Sequence, residues 1–226
     1  MDERFERTAL LIGETAIEKL SKCHVAVFGV GGVGGYVIEA LARSGVGHFT
    51  LFDSDVVSIS NINRQIIATT DTIGRLKVDV MKERILSINS SALVDVFPLF
   101  ITEDNILDIS FDKFEYVIDA IDTVKSKIAI IVKAKQNDKP IISSMGAGNK
   151  MNPMGFVVSD INKTEVDPLA KSVRLQLRKL GIKGVKVVYS RELPIKTGAS
   201  VPGSNAYVPS AAGLLIASEV ITDLLK

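Results

Sequence analysis

Residues 29–34 read Gly29-Val30-Gly31-Gly32-Val33-Gly34 and match the pattern G-x-G-x-x-G. The apolar run 24–28 before them predicts a buried strand, and residues 33–44 predict a helix. In such a turn the first glycine permits the tight bend, the second lets the backbone approach a phosphate, and the third lets helix and strand pack closely. The phosphate then lies at the positive end of the helix dipole. The pattern predicts a nucleotide-binding turn, but proteins that bind NAD, FAD or ATP all share it. Its four glycines are Gly29, Gly31, Gly32 and Gly34.

The composition is that of one large α/β domain with a substantial core, since 46% of the 226 residues are apolar. The net charge of +1 argues against a generally basic surface. The single cysteine, Cys23, excludes an intramolecular disulfide and a Cys-x-x-Cys zinc site built by one chain. The charged start MDERFERTALLIG has no signal-peptide pattern, and we take the apolar tracts to be too short to span a membrane. We therefore expect a cytoplasmic protein without a membrane span.

Strands and helices are predicted to alternate through the first two thirds of the chain, which is typical of a Rossmann-like, doubly wound, mostly parallel sheet. The predicted strands are 24–28, 48–52, 92–97, 115–119 and 140–143. The predicted helices between them are 33–44, 75–88, 103–109 and 125–137.

We expect one domain over residues 1–226, organised in three parts. N-terminal helices fill 1–22, with a helical segment at 3–20, and the nucleotide-binding core fills 23–144. A C-terminal α/β extension with a basic helix fills 145–226. Its predicted strands are 155–160 and 185–190, and its predicted helices are 168–180 and 209–225.

Asp53 ends the second predicted strand, where a dinucleotide fold places the carboxylate that binds ribose hydroxyls. An NAD-dependent dehydrogenase fits equally well up to this point. The chain then continues with an Asn–Arg–Gln cluster, which a dehydrogenase does not need but which supplies fixed donors for the oxyanions of a triphosphate. Residues 53–65 read Asp53-Ser54-Asp55-Val56-Val57-Ser58-Ile59-Ser60-Asn61-Ile62-Asn63-Arg64-Gln65.

This segment resembles the D-x-D-x-V-x-x-S-N-x-x-R-Q signature of the ubiquitin-activating-enzyme-like ATPases, the HesA/MoeB/ThiF superfamily. The resemblance implies a ThiF/MoeB-type adenylylating domain that uses ATP and Mg²⁺. It implies nucleotide contacts by Asp53, Asp55, Asn61, Arg64, Gln65, Lys77 and Asp122, in addition to the glycines.

The same resemblance assigns roles to four residues. Lys77 matches the phosphate-contacting lysine, and Asp122 matches the magnesium-associated aspartate, a hard oxygen ligand. Asp119 is interpreted as a ribose-side or structural carboxylate. Arg4-Phe5-Glu6-Arg7 resembles the R-x-x-R segment whose second arginine reaches the neighbouring subunit, which implies a homodimer. The catalytic set implied is Arg7, Arg64, Lys77 and Asp122. The sequence leaves open whether Arg7 acts within its own subunit or across the dimer.

Three segments resemble the tRNA threonylcarbamoyladenosine dehydratase branch of this superfamily. Thr123 follows Asp122 where the carrier-protein branch has asparagine, and residues 160–169 and 187–192 also resemble the dehydratase branch. The resemblance implies that ATP adenylylates the threonyl carboxylate of the modified adenosine in tRNA, and that the tethered ureido group then closes a ring. Proximity of a tethered nucleophile contributes roughly 7–11 kcal/mol to such a step.

A tRNA substrate requires a basic surface, and residues 163–196 hold nine basic and three acidic residues. Lys171, Arg174 and Arg178 share one face of the predicted helix because of their i, i+3, i+7 spacing. We expect them to contact phosphates of tRNA, although a merely solvated basic face explains the same pattern.

Three other functions remain open. Activation of a ubiquitin-like sulfur-carrier protein predicts a catalytic cysteine, whereas Cys23 is interpreted as a structural thiol. We therefore do not expect a link to a cysteine desulfurase. An NAD-dependent oxidoreductase leaves Asn61, Arg64 and Lys77 unexplained. Intact Arg64, Lys77 and Asp122 argue against an inactive nucleotide-binding scaffold. The sequence gives no metal role to His24 or His48 and does not settle whether a monovalent cation binds.

Overall fold

One seven-stranded sheet runs through the computed structural model, which describes residues 2–226. The strand order is β3-β2-β1-β4-β5-β7-β6, and every neighbouring pair is parallel except β6 with β7. The strands are β1 His24–Phe28, β2 His48–Phe52, β3 Leu93–Phe97, β4 Tyr116–Asp119, β5 Ile141–Ser144, β6 Phe156–Asp160 and β7 Lys186–Ser190. The predicted mostly parallel sheet is confirmed, and β6 and β7 extend the same sheet.

Seven α-helices connect and flank these strands. They are α1 Glu6–Ile12, α2 Glu14–Leu20, α3 Gly34–Arg43, α4 Lys77–Ile88, α5 Val124–Gln136, α6 Pro168–Lys179 and α7 Val208–Leu225. The prediction of an α-helix at 103–109 is wrong. Only Asn105–Asp108 forms a short 3₁₀ turn, because Asn105 and Thr102 cap each other at its start. The predicted segment 3–20 is divided at Gly13, whose φ of +90° ends α1.

Both faces of the sheet are covered. Val25 and Val27 of β1 point into a core shared with α3, α4 and α7, whereas Ala26 and Phe28 point into a core shared with α5 and α6. Because consecutive side chains of a strand face opposite sides, a strand buried on both faces is expected to be largely apolar. This explains the unbroken apolar run before the glycine turn.

The last helix is longer and more apolar than we expected of any segment of the sequence. Residues Val208–Leu225 have a mean hydropathy of 1.5, so α7 is long and apolar enough to cross a membrane by length and composition. In the structure α7 packs across α3. A Cβ built on Gly213 would lie 2.5 Å from the carbonyl oxygen of Val33, so only glycine allows this contact. The apolar face of α7 thus has a partner in the core of this domain.

Two stacked histidines lie at the amino ends of β1 and β2. The rings of His24 and His48 are 3.4 Å apart and inclined by 8°, and Nε2 of His24 lies 2.7 Å from Oγ1 of Thr50. Asp95 lies within reach of both rings, and the three residues form a possible metal-ligating group. Parallel stacked rings direct their in-plane lone pairs side by side, which is a poor arrangement for one shared ion. We interpret this group as structural.

The histidine pair predicts a loss of stability in acid. Burial, and next the charge of His48, lower the pKa of His24 to about 4. The unfolded chain therefore binds more protons than the folded chain between about pH 6.5 and 4, and stability falls as the pH falls through this window. We expect a contribution of up to about 3 kcal/mol, measured by urea unfolding at several pH values. His24→Gln should flatten this slope, and an unchanged slope would contradict the assignment.

Candidate functional site

A cavity of about 860 Å³ opens at the carboxyl ends of the central strands. It lies where the chain order reverses, since β1 neighbours β2 on one side and β4 on the other. Open α/β sheets bind ligands in this crevice. The cavity is lined by the turn after β1, the segments after β2, β3, β4 and β5, the start of α6 and residues 201–204.

The glycine turn allows backbone to approach backbone. Gly29 has a φ of +95°, and a Cβ there would lie 2.8 Å from the carbonyl oxygen of Ala120. A Cβ on Gly34 would lie 1.9 Å from the carbonyl oxygen of Gly29, so α3 can begin here only with glycine. Gly29, Gly31 and Gly32 line the cavity. Gly34 is buried behind them, and its function is the close packing of helix and strand.

Asp53 fixes the turn from the neighbouring strand. Its Oδ2 accepts a hydrogen bond of 2.7 Å from the backbone N–H of Val30, and its Oδ1 accepts one of 2.9 Å from the backbone N–H of Asp55. The carboxylate therefore orients the turn and still lines the cavity. An apolar wall beside it, missed in the sequence, is formed by Phe52, Leu99, Phe100 and Ile101.

Lys77 and Asp55 form a fixed pair. The Lys77 side chain is buried, and its Nζ donates a hydrogen bond of 2.7 Å to Oδ2 of Asp55, whose side chain is two-thirds exposed. The backbone N–H of Lys77 also donates to the carbonyl of Asp55, at 3.0 Å. The ammonium group therefore has little freedom, and a bound anion would find it already in place.

The predicted Asn–Arg–Gln cluster lies together on the same wall. The amide oxygen of Asn61 accepts a hydrogen bond from the N–H of Ser58 and closes a short turn. Arg64 donates to the carbonyl of Ser60 at 2.8 Å, and its stem lies over the glycine turn, 3.5 Å from a Cβ built on Gly32. The Oε1 atom of Gln65 is buried without a hydrogen-bond partner in residues 2–226. A buried unpaired oxygen is costly, so a donor from a ligand is expected there.

A buried ion pair holds the segment that carries Asp122. Asp119 is fully buried, and its Oδ2 accepts hydrogen bonds from Nζ of Lys127 at 2.9 Å and from the Ser143 hydroxyl. Its Oδ1 accepts from the N–H of Ile121 at 3.2 Å. Asp119 does not line the cavity, which favours the structural interpretation over the ribose-side one. Asp122 lies three residues further on, exposed in the cavity.

Besides Gly34, four predicted functional residues lie outside the cavity lining. Arg7 is exposed on α1 and does not line the cavity of its own chain. On α6, Lys171 is exposed, whereas Arg174 donates hydrogen bonds to the carbonyl and hydroxyl of Thr164. Arg178 donates to the side chain of Asn162 at 3.1 Å. Arg174 therefore supports a neighbouring turn, which leaves Lys171 and Arg178 as the more accessible cations.

Two charged residues of the cavity were not identified from the sequence. Lys150 and Asp167 line it from the C-terminal extension and form a buried ion pair of 3.0 Å. Each residue had one local signal: Lys150 follows the glycine-rich loop 145–149, and Asp167 precedes a proline that starts a helix. Spacing alone could not show that the two meet.

Comparison with known proteins identifies the family. The sequence model of the ThiF family matches residues 5–226. The chain belongs to the ThiF family. Members of this family that resemble the chain include the tRNA threonylcarbamoyladenosine dehydratase of Bacillus subtilis (strain 168). It is 46% identical, and the match covers 100% of this chain and 96% of the relative.

A solved structure of a ThiF-family relative has the same fold. The crystal structure of the Escherichia coli tRNA N6-threonylcarbamoyladenosine dehydratase, TcdA, in complex with ATP matches with a TM-score of 0.94 at 38% identity. The match covers 99% of this chain and 94% of that chain. The sulfur carrier protein adenylyltransferase of Thermus thermophilus is 30% identical, over 62% of this chain and 52% of the relative. The likeness to the dehydratases is therefore both stronger and longer.

Proposed function

We propose that this protein is an ATP-dependent tRNA threonylcarbamoyladenosine dehydratase. The observation that carries the proposal is the match to a relative of that name over 96% of the relative's length. The cavity supports it, because the glycine turn, Arg64, Lys77 and Asp122 lie together there. We further propose that residues 1–226 act as one adenylylating domain in the cytoplasm.

ATP and Mg²⁺ fit the residues present. The glycine turn would accept phosphates at the start of α3, and Arg64 and Lys77 would match their charge. Asp53 would accept hydrogen bonds from the ribose. The apolar wall of Phe52, Leu99, Phe100 and Ile101 suits the adenine ring. Asp122 offers a hard oxygen ligand for Mg²⁺, which when bound neutralises phosphate charge.

The reaction follows from these groups. A carboxylate oxygen of the substrate attacks the α-phosphorus of ATP, and pyrophosphate leaves with the electrons of the broken P–O bond. Arg64 and Lys77 stabilise the charge that develops on the phosphates. The ureido nitrogen then attacks the acyl carbon, AMP departs with the former carboxylate oxygen, and the nitrogen loses a proton to solvent. The nucleoside has lost one water in total.

The thiol position argues against the sulfur-carrier alternative. Cys23 directly precedes β1, at the amino ends of the strands, whereas the cavity lies at their carboxyl ends. Its Sγ donates to the carbonyl of Lys19. Burial raises the pKa of the Cys23 thiol, so the nucleophilic thiolate is disfavoured. This thiol has no route to an acyl group bound in the cavity.

A homodimer is part of the proposal. Beside Arg7 on α1, Leu10 and Leu11 are 83% and 87% exposed. Exposed leucines on one short helix suit a subunit contact. We propose that α1 lies at this contact and that Arg7 reaches the neighbouring subunit's cavity.

The function is tested with full-length protein, ATP, Mg²⁺ and tRNA that carries threonylcarbamoyladenosine. After digestion, mass spectrometry of the nucleosides should show the loss of one water. An unchanged mass, together with pyrophosphate exchange that depends on a sulfur-carrier protein, would support the alternative instead.

The basic face of α6 predicts salt-dependent tRNA binding. Lys171 and Arg178 are separated by roughly 10 Å along the helix, and α6 begins at the cavity. Replacing Lys171, Arg174 and Arg178 together by alanine should weaken tRNA binding and reduce the slope of log K against log salt by about 2–3. A Lys19→Ala/Lys22→Ala control, at the other edge of the sheet, should leave the slope unchanged. Equal slopes for the triple variant and the wild type would show a merely solvated face.

A further inference from the structure

Lys150 is the third basic side chain in the cavity lining formed by residues 2–226, and the reaction above uses only Arg64 and Lys77. Those two belong to segments that follow β2, whereas Lys150 follows β5. Two strands separate β2 from β5, so their ends lie roughly 14 Å apart. Lys150 therefore lies beyond the part of the cavity in which we propose that the phosphates bind.

The Lys150 ammonium group is held in place by two acceptors. Its Nζ donates to the carbonyl of Gly146 at 2.6 Å and to Oδ2 of Asp167 at 3.0 Å. The residue is only 4% exposed. An ammonium group has three N–H donors, and these two bonds are its hydrogen bonds within residues 2–226. The third donor has no partner within residues 2–226, and Lys150 lines the cavity.

Asp167 is placed by an unfavourable backbone conformation. Val166, immediately before it, has a φ of +48°, which is a rare value for a β-branched residue. Val166 is 44% exposed, and the N–H of Asp167 donates to the carbonyl of Glu165 across it, so a tight turn rather than core packing holds this conformation. The strained residue directs Asp167 inward, where Oδ1 caps α6 by accepting from the N–H of Ala170 at 2.9 Å and Oδ2 binds Lys150. Strain of this kind is concentrated at functional sites.

We propose that Lys150 binds the substrate carboxylate that ATP activates and that Asp167 is the residue that positions it. This inference rests on the proposed function. The carboxylate and the α-phosphate are both anionic, so their approach requires a cation on the carboxylate side. Lys150 is the basic side chain that lines that side.

The same donor serves the second step. When the ureido nitrogen attacks the acyl carbon, negative charge develops on the acyl oxygen. An N–H that is already fixed by two other bonds stabilises this charge without reorganisation. Lys150 thus acts on the acyl half of the reaction, and Arg64 and Lys77 act on the phosphate half.

The test compares Lys150→Met, Lys150→Arg and Asp167→Asn in the full-length protein, with Lys22→Met as an exposed lysine control. Asn is a good N-cap, so Asp167→Asn removes the charge and keeps the cap of α6. The measurements are the Kd for ATP by calorimetry, tRNA-dependent pyrophosphate exchange, and kcat and KM for tRNA. Because Lys150→Met leaves Asp167 unpaired, the double variant Lys150→Met/Asp167→Asn is included and all variants are checked by thermal unfolding.

Lys150→Met and the double variant should lower kcat/KM for tRNA by about 100-fold and change the Kd for ATP less than twofold. Lys150→Arg should recover part of this loss, and Asp167→Asn should lose activity with ATP binding intact. Activity of Lys150→Met within threefold of wild type, or a parallel loss of ATP affinity in the folded double variant, would overturn the inference. If the wild type leaves this tRNA unchanged, the proposed function fails and the inference with it.

Discussion

Replacing Arg64 by alanine is expected to reduce AMP release by about 1,000-fold. Arg64 lies over the glycine turn and is the arginine that lines the cavity. Its planar guanidinium presents several fixed donors to phosphate oxygens, and alanine presents none. The measurement is AMP produced per enzyme in the presence of ATP, Mg²⁺ and modified tRNA.

The fold should survive this change. Arg64 is half-buried, and its hydrogen bonds to Ser60 and Asn63 lie at the surface, so we expect a stability loss of about 1 kcal/mol or less. Arg43→Ala serves as the control, because Arg43 is exposed and pairs with Glu39 away from the cavity. Near-normal turnover of the Arg64 variant would remove Arg64 from the mechanism.

Replacing Asp122 by alanine is expected to have an effect of similar size, about 1,000-fold on AMP release. Asp122 is exposed in the cavity on a segment fixed by the buried pair of Asp119 and Lys127. Loss of the carboxylate removes the proposed magnesium ligand but no buried contact, so the variant should unfold at the temperature of the wild type.

A binding measurement separates the metal from the chemistry. Without Mg²⁺ the Asp122 variant should bind ATP as the wild type does, and added Mg²⁺ should strengthen binding only in the wild type. Asp108→Ala, an exposed aspartate outside the cavity lining, is the control. If Mg²⁺ strengthens ATP binding equally in the Asp122 variant, the metal is held by other residues.

The sheet could be predicted because its signals are local. Residues 25–28 are apolar at every position, and Gly29 and Gly34 are required by close backbone contacts, so strand, turn and helix follow from one short segment. The 3₁₀ turn at 105–108 and the break at Gly13 could not be predicted in this way. The first depends on side-chain caps, and the second depends on one residue with positive φ.

The phosphate side of the site was predictable for a similar reason. Asp53, Asp55, Asn61, Arg64 and Gln65 lie within one short segment, so a sequence pattern places them together. Lys150 and Asp167 meet only because the loop after β5 lies against the segment that starts α6, and Lys127 reaches Asp119 only because α5 packs on the sheet. These contacts depend on tertiary packing, which spacing does not encode.

The packing of α7 has a consequence for biosynthesis. Pro209 lies against the glycine turn, 3.4 Å from a Cβ built on Gly32, and Gly213 lies against the start of α3. Residues 208–225 emerge from the ribosome after the segments that form the rest of the pocket. A nascent chain that stalls before these residues has the glycine turn but not the α7 contacts that pack against it. We therefore expect ATP binding only after α7 has been translated.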